Sequence, residues 1–239
     1  MPEVWRWQLA IATSACIAAA PAAAAALTFV EREVACPVGG DAFRMRLPAS
    51  ETQFRQQLDL KQLGAIASPW PLARCPGNGF VIYKESFSGE EIARLAAYVA
   101  SSEYQAMRAA ETDYFLAAAL RRQLGDPPAT IAMTLLQATW EAAPGEQYRR
   151  YAAAALAAFE RALAGDGLWS NERVMQQVIA GELERRLGRF DAAQQRFETV
   201  AALPPAGMGA VAGVVQRQLR LVAERDAGVH LVPRAGETP

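Results

Sequence analysis

The chain contains few of the residue types on which catalysis and metal binding most often depend. Its 239 residues include one histidine and three cysteines, and 24 basic side chains nearly balance 25 acidic ones, for a net charge of −1. This near-neutral charge argues against nucleic acid as a partner, because such proteins usually carry a clustered basic face. The single histidine, His230, excludes a site built from several histidines, and its surroundings, GVHLVPRAGETP, predict a flexible C-terminal tail over 227–239.

Catalytic motifs are missing as well. The sequence has no Walker loop, no nucleophile elbow and no Cys-x-x-Cys pair of the kind that redox enzymes use. Acidic pairs such as Glu182 and Glu184 fall on predicted solvent faces, where solvation accounts for them. The sequence therefore favours a protein that is not an enzyme and holds no cofactor.

The N-terminus has the order of a secretory signal peptide. Arg6 precedes an apolar run and an alanine-rich exit, which predicts a signal peptide over 1–26 and a mature chain that begins at Leu27. The protein is therefore expected to be periplasmic or secreted. The alternative is a chain held on the membrane by an uncleaved signal or by a lipidated Cys16. The mature chain has no apolar run near the roughly 20 residues that a membrane span needs, so we expect no integral span in it.

A shift in composition divides the mature chain at Ser88. Proline, glycine and aromatic residues dominate 27–87, whereas 88–226 is alanine-rich with helical periodicity. Ser88 and Glu91 form a capping-box pattern that begins the first helix. Further helices are predicted over 103–124, 130–142, 146–164, 171–187, 189–203 and 209–226. The predicted fold class is α+β, mainly α, with a small β module before a helical array.

One helical segment, AGELERRLGRFDAAQQRFETVAALPP, carries the offsets of a helical repeat. Gly181 and Ala193 are small residues at a close approach of two helices, and Phe190 and Phe197 fill the gap to the next unit. These offsets resemble a tetratricopeptide repeat, and a fainter copy ends near Phe159. The alternative is an ordinary helical bundle with alanine-mediated packing.

Stacked repeats of this kind form a groove that commonly holds a peptide or a partner protein. On that analogy Met175, Glu182 and Arg185 are predicted to project towards the groove from the helix over 171–187. Trp70, in SPWPL, either packs the β module against the helices or forms an exposed aromatic anchor for the partner. For each of these residues the alternative is a role in the ordinary surface or packing.

Two cysteines lie in related pentapeptides, CPVGG from Cys36 and CPGNG from Cys75. Each resembles a CPxCG knuckle of a zinc ribbon in which Gly39 or Asn78 stands where the second ligand would be. The surrounding LTFVEREVACPVGGDAFRM predicts a hairpin, and GFVIYKESF predicts a further strand. Residues 27–87 are therefore interpreted as a degenerate zinc-ribbon-like β module.

The order of the motifs carries a wider resemblance. CPVGG, LDL, SPWPL and CPGNGFV, followed by helices with LLQATWEA, resemble an uncharacterised bacterial family that is catalogued as a domain of unknown function. In that family a CPxCG-type ribbon precedes tetratricopeptide-like helices. The resemblance covers most of the mature chain, with its specific residues between Cys36 and Tyr83, and it implies no activity.

In an exported protein, two cysteines held where ribbon knuckles converge tend to oxidise, which predicts a structural Cys36–Cys75 disulfide. The alternatives are a zinc ion held by Cys36, Cys75 and Asp41, and two separate buried thiols. The predicted function is a non-enzymatic protein–protein interaction module or adaptor of the cell envelope, with its partner in the helical groove. The alternative is an envelope enzyme, or a redox or metal-binding component, whose site cannot be recognised from the sequence.

Overall fold

The computed structural model describes residues 28–50, 52–65, 67–165, 169–203 and 211–234. The predicted signal peptide and Cys16 lie outside the described residues.

The first part of the structure consists of short antiparallel strand pairs, each made from neighbours in sequence. The strands are β1 (Thr28–Ala35), β2 (Ala42–Ser50), β3 (Thr52–Gln56), β4 (Gln62–Ala65), β5 (Ala73–Arg74) and β6 (Val81–Ile82), paired β1–β2, β3–β4 and β5–β6. The β1–β2 pair is the hairpin that the sequence predicts around Gly39 and Gly40, both of which have positive φ. The strand predicted over GFVIYKESF is reduced to the two residues of β6.

Helices make up the rest of the described chain. They are α1 (Gly89–Val99), α2 (Ser102–Ala110), α3 (Asp113–Leu124), α4 (Pro128–Glu141), α5 (Glu146–Leu163), α6 (Asn171–Arg186), α7 (Phe190–Ala201) and α8 (Ala212–Ala223). The capping box at the start of α1 is present, because Ser88 Oγ accepts from Glu91 N–H while Glu91 Oε2 accepts from Ser88 N–H. The α+β, mainly α, fold class is confirmed.

The single helix predicted over 103–124 is wrong. It is two helices, α2 and α3, because Glu111 between them has an extended backbone. The Glu111 carboxylate accepts hydrogen bonds from Arg150 at 2.8 and 2.9 Å and from Tyr151 Oη at 2.6 Å. These long-range contacts hold the chain away from helical geometry, and they are invisible in the local periodicity of the sequence.

Apolar packing runs without interruption from the strands into the helices. Cys36, Cys75 and Phe80 belong to one buried cluster with residues of α1, α2 and α3. A second cluster lies among α3, α4, α5 and α6, and a third joins α6, α7 and α8. The composition shift at Ser88 therefore marks the start of α1, but the core continues across it.

Helices α6 and α7 approach each other closely at Gly181. A Cβ atom at this position would lie 2.6 Å from the ring of Phe197, and both Ala193 and Phe197 are fully buried. Only a residue without a side chain allows this distance. The close approach that the sequence predicts at Gly181 is confirmed.

Candidate functional site

A short turn between β3 and β4 reaches the helical layer. The 57–61 turn, with the sequence QLDLK, buries Leu58 and Asp59, which are only 2% and 4% exposed. Leu60 packs against the apolar cluster of α4, α5 and α6, and Lys61 Nζ donates to the backbone carbonyl of Trp140 at 2.9 Å. The turn thus lies against the helices α4 and α6.

The C-terminal segment covers the other side of this turn. Leu58 N–H donates to the carbonyl of His230 at 2.9 Å, and Val232 N–H donates to the carbonyl of Gln56 at 2.8 Å. His230 Nε2 lies 2.8 Å from Asp226 Oδ2. The sequence predicts a flexible tail over 227–239. In the part that the structure describes, to residue 234, this segment instead pairs with the end of β3, because its backbone supplies hydrogen-bond partners to the backbone there.

A groove of about 480 Å³ opens between α4 and α6 beside the 57–61 turn. Its apolar surface comes from Leu60, Met133, Met175 and Ile179. We call it the α4–α6 groove; its remaining lining residues are Arg121, Ala129, Thr130, Thr134, Gln137, Glu172 and Gln176. Met175, predicted to face a groove, is 36% exposed and is one of these lining residues. Methionine adapts its shape to different apolar partners, so this lining can accommodate apolar groups of different shapes.

Glu182 and Arg185 do not reach this groove, and their prediction as partner-binding residues is wrong. Both are buried in a network with Gln218 of α8, in which the guanidinium of Arg185 donates to Glu182 and Gln218 at 2.8–2.9 Å. Arg185 also donates to the backbone carbonyls of Asp226 and Gly228. The C-terminal segment and α8 cover this face of α6, and the sequence of α6 alone gives no sign of that cover.

Two carboxyl groups in and beside this network have shifted pKa values. Burial raises the pKa of the Glu182 carboxyl above its ordinary value, while the nearby Arg185 guanidinium opposes that shift. Asp226, at the end of the same network, behaves differently: the backbone N–H of Gly228 lowers the pKa of the Asp226 carboxyl. The hydrogen bonds from Arg185 to the carbonyls of Asp226 and Gly228 connect this network to the C-terminal segment.

Glu184 is also buried, contrary to the solvent face that its helix pattern predicts. Arg196 of α7 pairs with both of its carboxylate oxygens, at 2.7 and 2.8 Å, and donates to Gln177 Oε1 at 2.6 Å. The hydrogen bonds with Glu184 raise the pKa of the Arg196 guanidinium. The charged pair lies at the contact between α6 and α7, so it stabilises the helix pair.

Trp70 lies outside the α4–α6 groove. Its side chain is 43% exposed, and its backbone carbonyl accepts a hydrogen bond from Tyr114 Oη at 2.8 Å. The side chain is therefore neither deeply packed nor part of the groove lining. Leu60, Met133 and Ile179 are the lining residues that sequence reasoning missed, and the LDL motif was the one signal for Leu60.

The two knuckles have the same backbone pattern. In each, the cysteine N–H donates to the carbonyl five residues on, and its carbonyl accepts from the N–H four residues on, with donor–acceptor distances of 2.8–3.1 Å. The Sγ atoms of Cys36 and Cys75 lie at disulfide-bonding distance, with the Cα atoms 5.8 Å apart. Gly39 and Asn78, where the second ligands would be, face each other, and Asn78 Nδ2 donates to the carbonyl of Val38.

A metal site is not assembled at the knuckles. In the part of the chain that the structure describes, no three His, Cys, Asp or Glu side chains are grouped so that they could hold a metal ion. The alternative ligand set of Cys36, Cys75 and Asp41 is therefore not supported. The amide of Asn78 links the knuckles instead.

Within the described ranges, no helix combines the length and apolarity that crossing a bilayer requires. Comparison of the chain with protein-family models, with curated proteins and with solved structures found no match.

Proposed function

We propose that this protein is an exported, non-enzymatic interaction module or adaptor of the cell envelope that holds a segment of a partner protein in the α4–α6 groove. The observation that carries the proposal is the apolar floor of that groove, made by Met133, Met175 and Ile179 beside Leu60. An accessible apolar groove with a polar rim is typical of sites that bind peptides.

The rim gives the groove a means to orient a peptide. Gln137 lies among the lining residues with an amide that can both donate to and accept from a peptide backbone. Glu172 accepts a hydrogen bond from Gln176 at 3.0 Å, which fixes its carboxylate at one edge of the groove. The expected ligand is therefore a peptide with at least one apolar anchor side chain, for which the flexible methionines provide the pocket.

The helical pairing supports a repeat-like origin for the groove. Helix α4 packs on α5, and α6 packs on α7, so α4 and α6 are the first helices of two successive pairs. The close approach at Gly181 fits the small-residue position of a tetratricopeptide-like unit. On this proposal the chain belongs with the uncharacterised bacterial proteins in which such helices follow a CPxCG-type ribbon.

Export is part of the proposal because it explains the cysteines. The signal-like segment over 1–26 would deliver the chain to an oxidising compartment, where the Cys36–Cys75 pair forms a disulfide in place of a zinc site. Mass spectrometry of protein recovered from the envelope would test this directly. A mature chain that begins at Leu27 and has no free thiol is expected, whereas bound zinc or two free thiols would contradict it.

Selection of peptides from a displayed random library against the purified mature chain tests the groove. We expect enrichment of sequences with spaced apolar residues, and we expect Met175→Lys to abolish their binding because it places a charge on the apolar floor. The matched control is Val30→Lys, since Val30 is also exposed but lies on β1. Enriched peptides that bind the Met175→Lys protein as well as the wild type would overturn the proposal, as would a failure to enrich any peptide.

A further inference from the structure

A second cavity, of about 320 Å³, lies beside the 57–61 turn and differs in character from the α4–α6 groove. We call it the Asp59 cavity. Gln57, Asp59 and Lys61 of the turn line it, together with residues of α4, the α4–α5 connection, α5, the end of α6 and the C-terminal segment. Its volume is at the lower end of the range for small-molecule sites.

Three charged side chains contribute to the lining, and their charges do not sum to zero. Asp59 provides one carboxylate, and Lys61 and Arg186 provide two cations. The guanidinium carbon of Arg186 lies 4.7 Å from the centroid of the Tyr148 ring, and among the described residues no carboxylate forms an ion pair with Arg186. The cavity therefore carries a net charge of about +1 at neutral pH if all three groups are ionised.

Two residues of the lining carry a buried hydrogen-bond donor without a partner. Trp140 Nε1 and Tyr148 Oη are both buried atoms without a hydrogen bond in the described structure. The third polar side chain on this wall, Thr139, is satisfied, since its hydroxyl donates to the carbonyl of Leu136 at 2.6 Å. Buried donors are rarely left unpaired in native proteins, so each of these two donors is expected to take a partner.

From the net positive lining and the unpaired donors, we propose that the Asp59 cavity binds a small organic carboxylate with a single negative charge. Arg186 and Lys61 supply the countercharge, and Trp140 and Tyr148 supply neutral donors. The Asp59 carboxylate would repel a second negative charge, which disfavours dianions such as dicarboxylates and sulfate. The site is distinct from the peptide groove, so the proposal does not depend on the function proposed above.

Asp59 also makes the binding depend on pH. Burial raises the pKa of the Asp59 carboxyl, and the groups that face it are Lys61 on its own turn and Arg186 of α6, with Tyr148 of α5 near both. A bound anion would favour the protonated form of Asp59 further. Affinity is therefore expected to rise as the pH falls towards the range in which Asp59 is protonated.

Isothermal titration calorimetry on the mature chain tests the proposal with named probes. These are acetate and benzoate as monocarboxylates, succinate and sulfate as dianions, and tetramethylammonium as a cation. Saturable binding of a monocarboxylate at millimolar concentration is expected, with weaker binding of both dianions and none of the cation. Loss of one charge-assisted contact in Arg186→Gln should weaken the binding about tenfold or more.

Asp59→Asn provides the discriminating variant. It removes the repulsion, so it should tighten monocarboxylate binding and abolish its pH dependence, whereas damage to the fold would weaken binding. Met175→Lys, in the α4–α6 groove, should leave monocarboxylate binding unchanged. Arg186→Lys should recover part of the affinity that Arg186→Gln loses. The proposal is overturned if no monocarboxylate binds, if the dianions or the cation bind best, or if Arg186→Gln or Asp59→Asn has no effect.

Discussion

Two hairpins, β1–β2 and β3–β4, enter the helical body in the same way but are held by different forces. In each, the turn packs against the helices, whereas the opposite end of the strand pair does not. The β1–β2 turn is the first knuckle, in which Cys36 and Val38 pack into an apolar cluster next to Cys75. The 57–61 turn is held by Leu58, by buried charged groups and by backbone pairing with the C-terminal segment.

The comparison shows that strand length does not decide how firmly a hairpin is attached. The β1–β2 strands have eight and nine residues, yet β1 is almost entirely exposed and β2 is partly exposed. The β3–β4 strands have five and four residues, but their turn makes contacts with α4 and with the C-terminal segment. The first attachment is apolar and brings Cys36 and Cys75 to disulfide-bonding distance, whereas the second depends on charge and on a segment far away in sequence.

The largest expected effect comes from removing Arg185, which holds the C-terminal segment that pairs with the second hairpin. Arg185→Leu would leave the Glu182 carboxylate buried without its partner and would free two backbone carbonyls. We expect a loss of about 3–5 kcal/mol in the free energy of unfolding, measured by urea denaturation. The control is Arg225→Ala, an exposed arginine with a long ion pair to Asp191 and a ring contact with Phe190, which should change stability by less than about 1 kcal/mol. Similar effects of the two variants would refute the role given to the network.

The next effect concerns the first hairpin. Replacing Cys36 and Cys75 by alanine would open a loop with a sequence separation of 39 residues, for an expected loss of about 3–4 kcal/mol if the disulfide forms. Hydrogen exchange should show lost protection in β1 and β2, while β3 and β4 keep theirs. If the protection of both hairpins falls equally, the two attachments are not independent. If stability is unchanged, the pair is not bonded in the protein.

Truncating the apolar residue at each turn compares the two attachments directly. Leu58→Ala removes a buried side chain of the second turn and should cost about 2–3 kcal/mol. Val38→Ala, in the first turn, removes less apolar surface and should cost about 1–2 kcal/mol. Thermal or chemical denaturation gives both values. A larger loss for Val38→Ala would mean that the first hairpin depends on packing more than on the cysteine pair.

The sequence predicted what depends on neighbours along the chain. The capping box at Ser88, the close approach at Gly181 and the hairpin around Gly39 are local patterns, and the structure confirms each of them.

What the sequence could not predict depends on partners far away along the chain. The sequence predicts solvent-exposed carboxylates at Glu182 and Glu184. Their partners in the buried contacts, Gln218 and Arg196, lie on other helices. The interruption at Glu111 depends on α5, and the pairing of the C-terminal segment depends on β3. A single charged residue gives no sign of whether a distant partner will cover it, so these sites escape reasoning from local periodicity.

The smallest expected effect is a pH dependence of stability that the attachment of the second hairpin should show and that of the first should not. Burial raises the pKa of Asp59 in the folded protein above its ordinary value of 3.8, so the folded state binds this proton more tightly than the unfolded chain does. The contribution of Asp59 to stability is therefore greatest below pH 3.8 and declines as the pH rises through the folded-state pKa. Glu182 and Asp226 also titrate with shifted pKa values, so the measurement is the difference in unfolding free energy between wild type and Asp59→Asn at each pH.

Relative to the variant, the wild type should lose stability between acidic and neutral pH, and hydrogen exchange should place that loss in the 57–61 turn and not in the Cys36 knuckle. A difference that is flat or that grows with pH would mean that Asp59 is paired well enough to be stable as a carboxylate, and the second hairpin would then not be the pH-sensitive one.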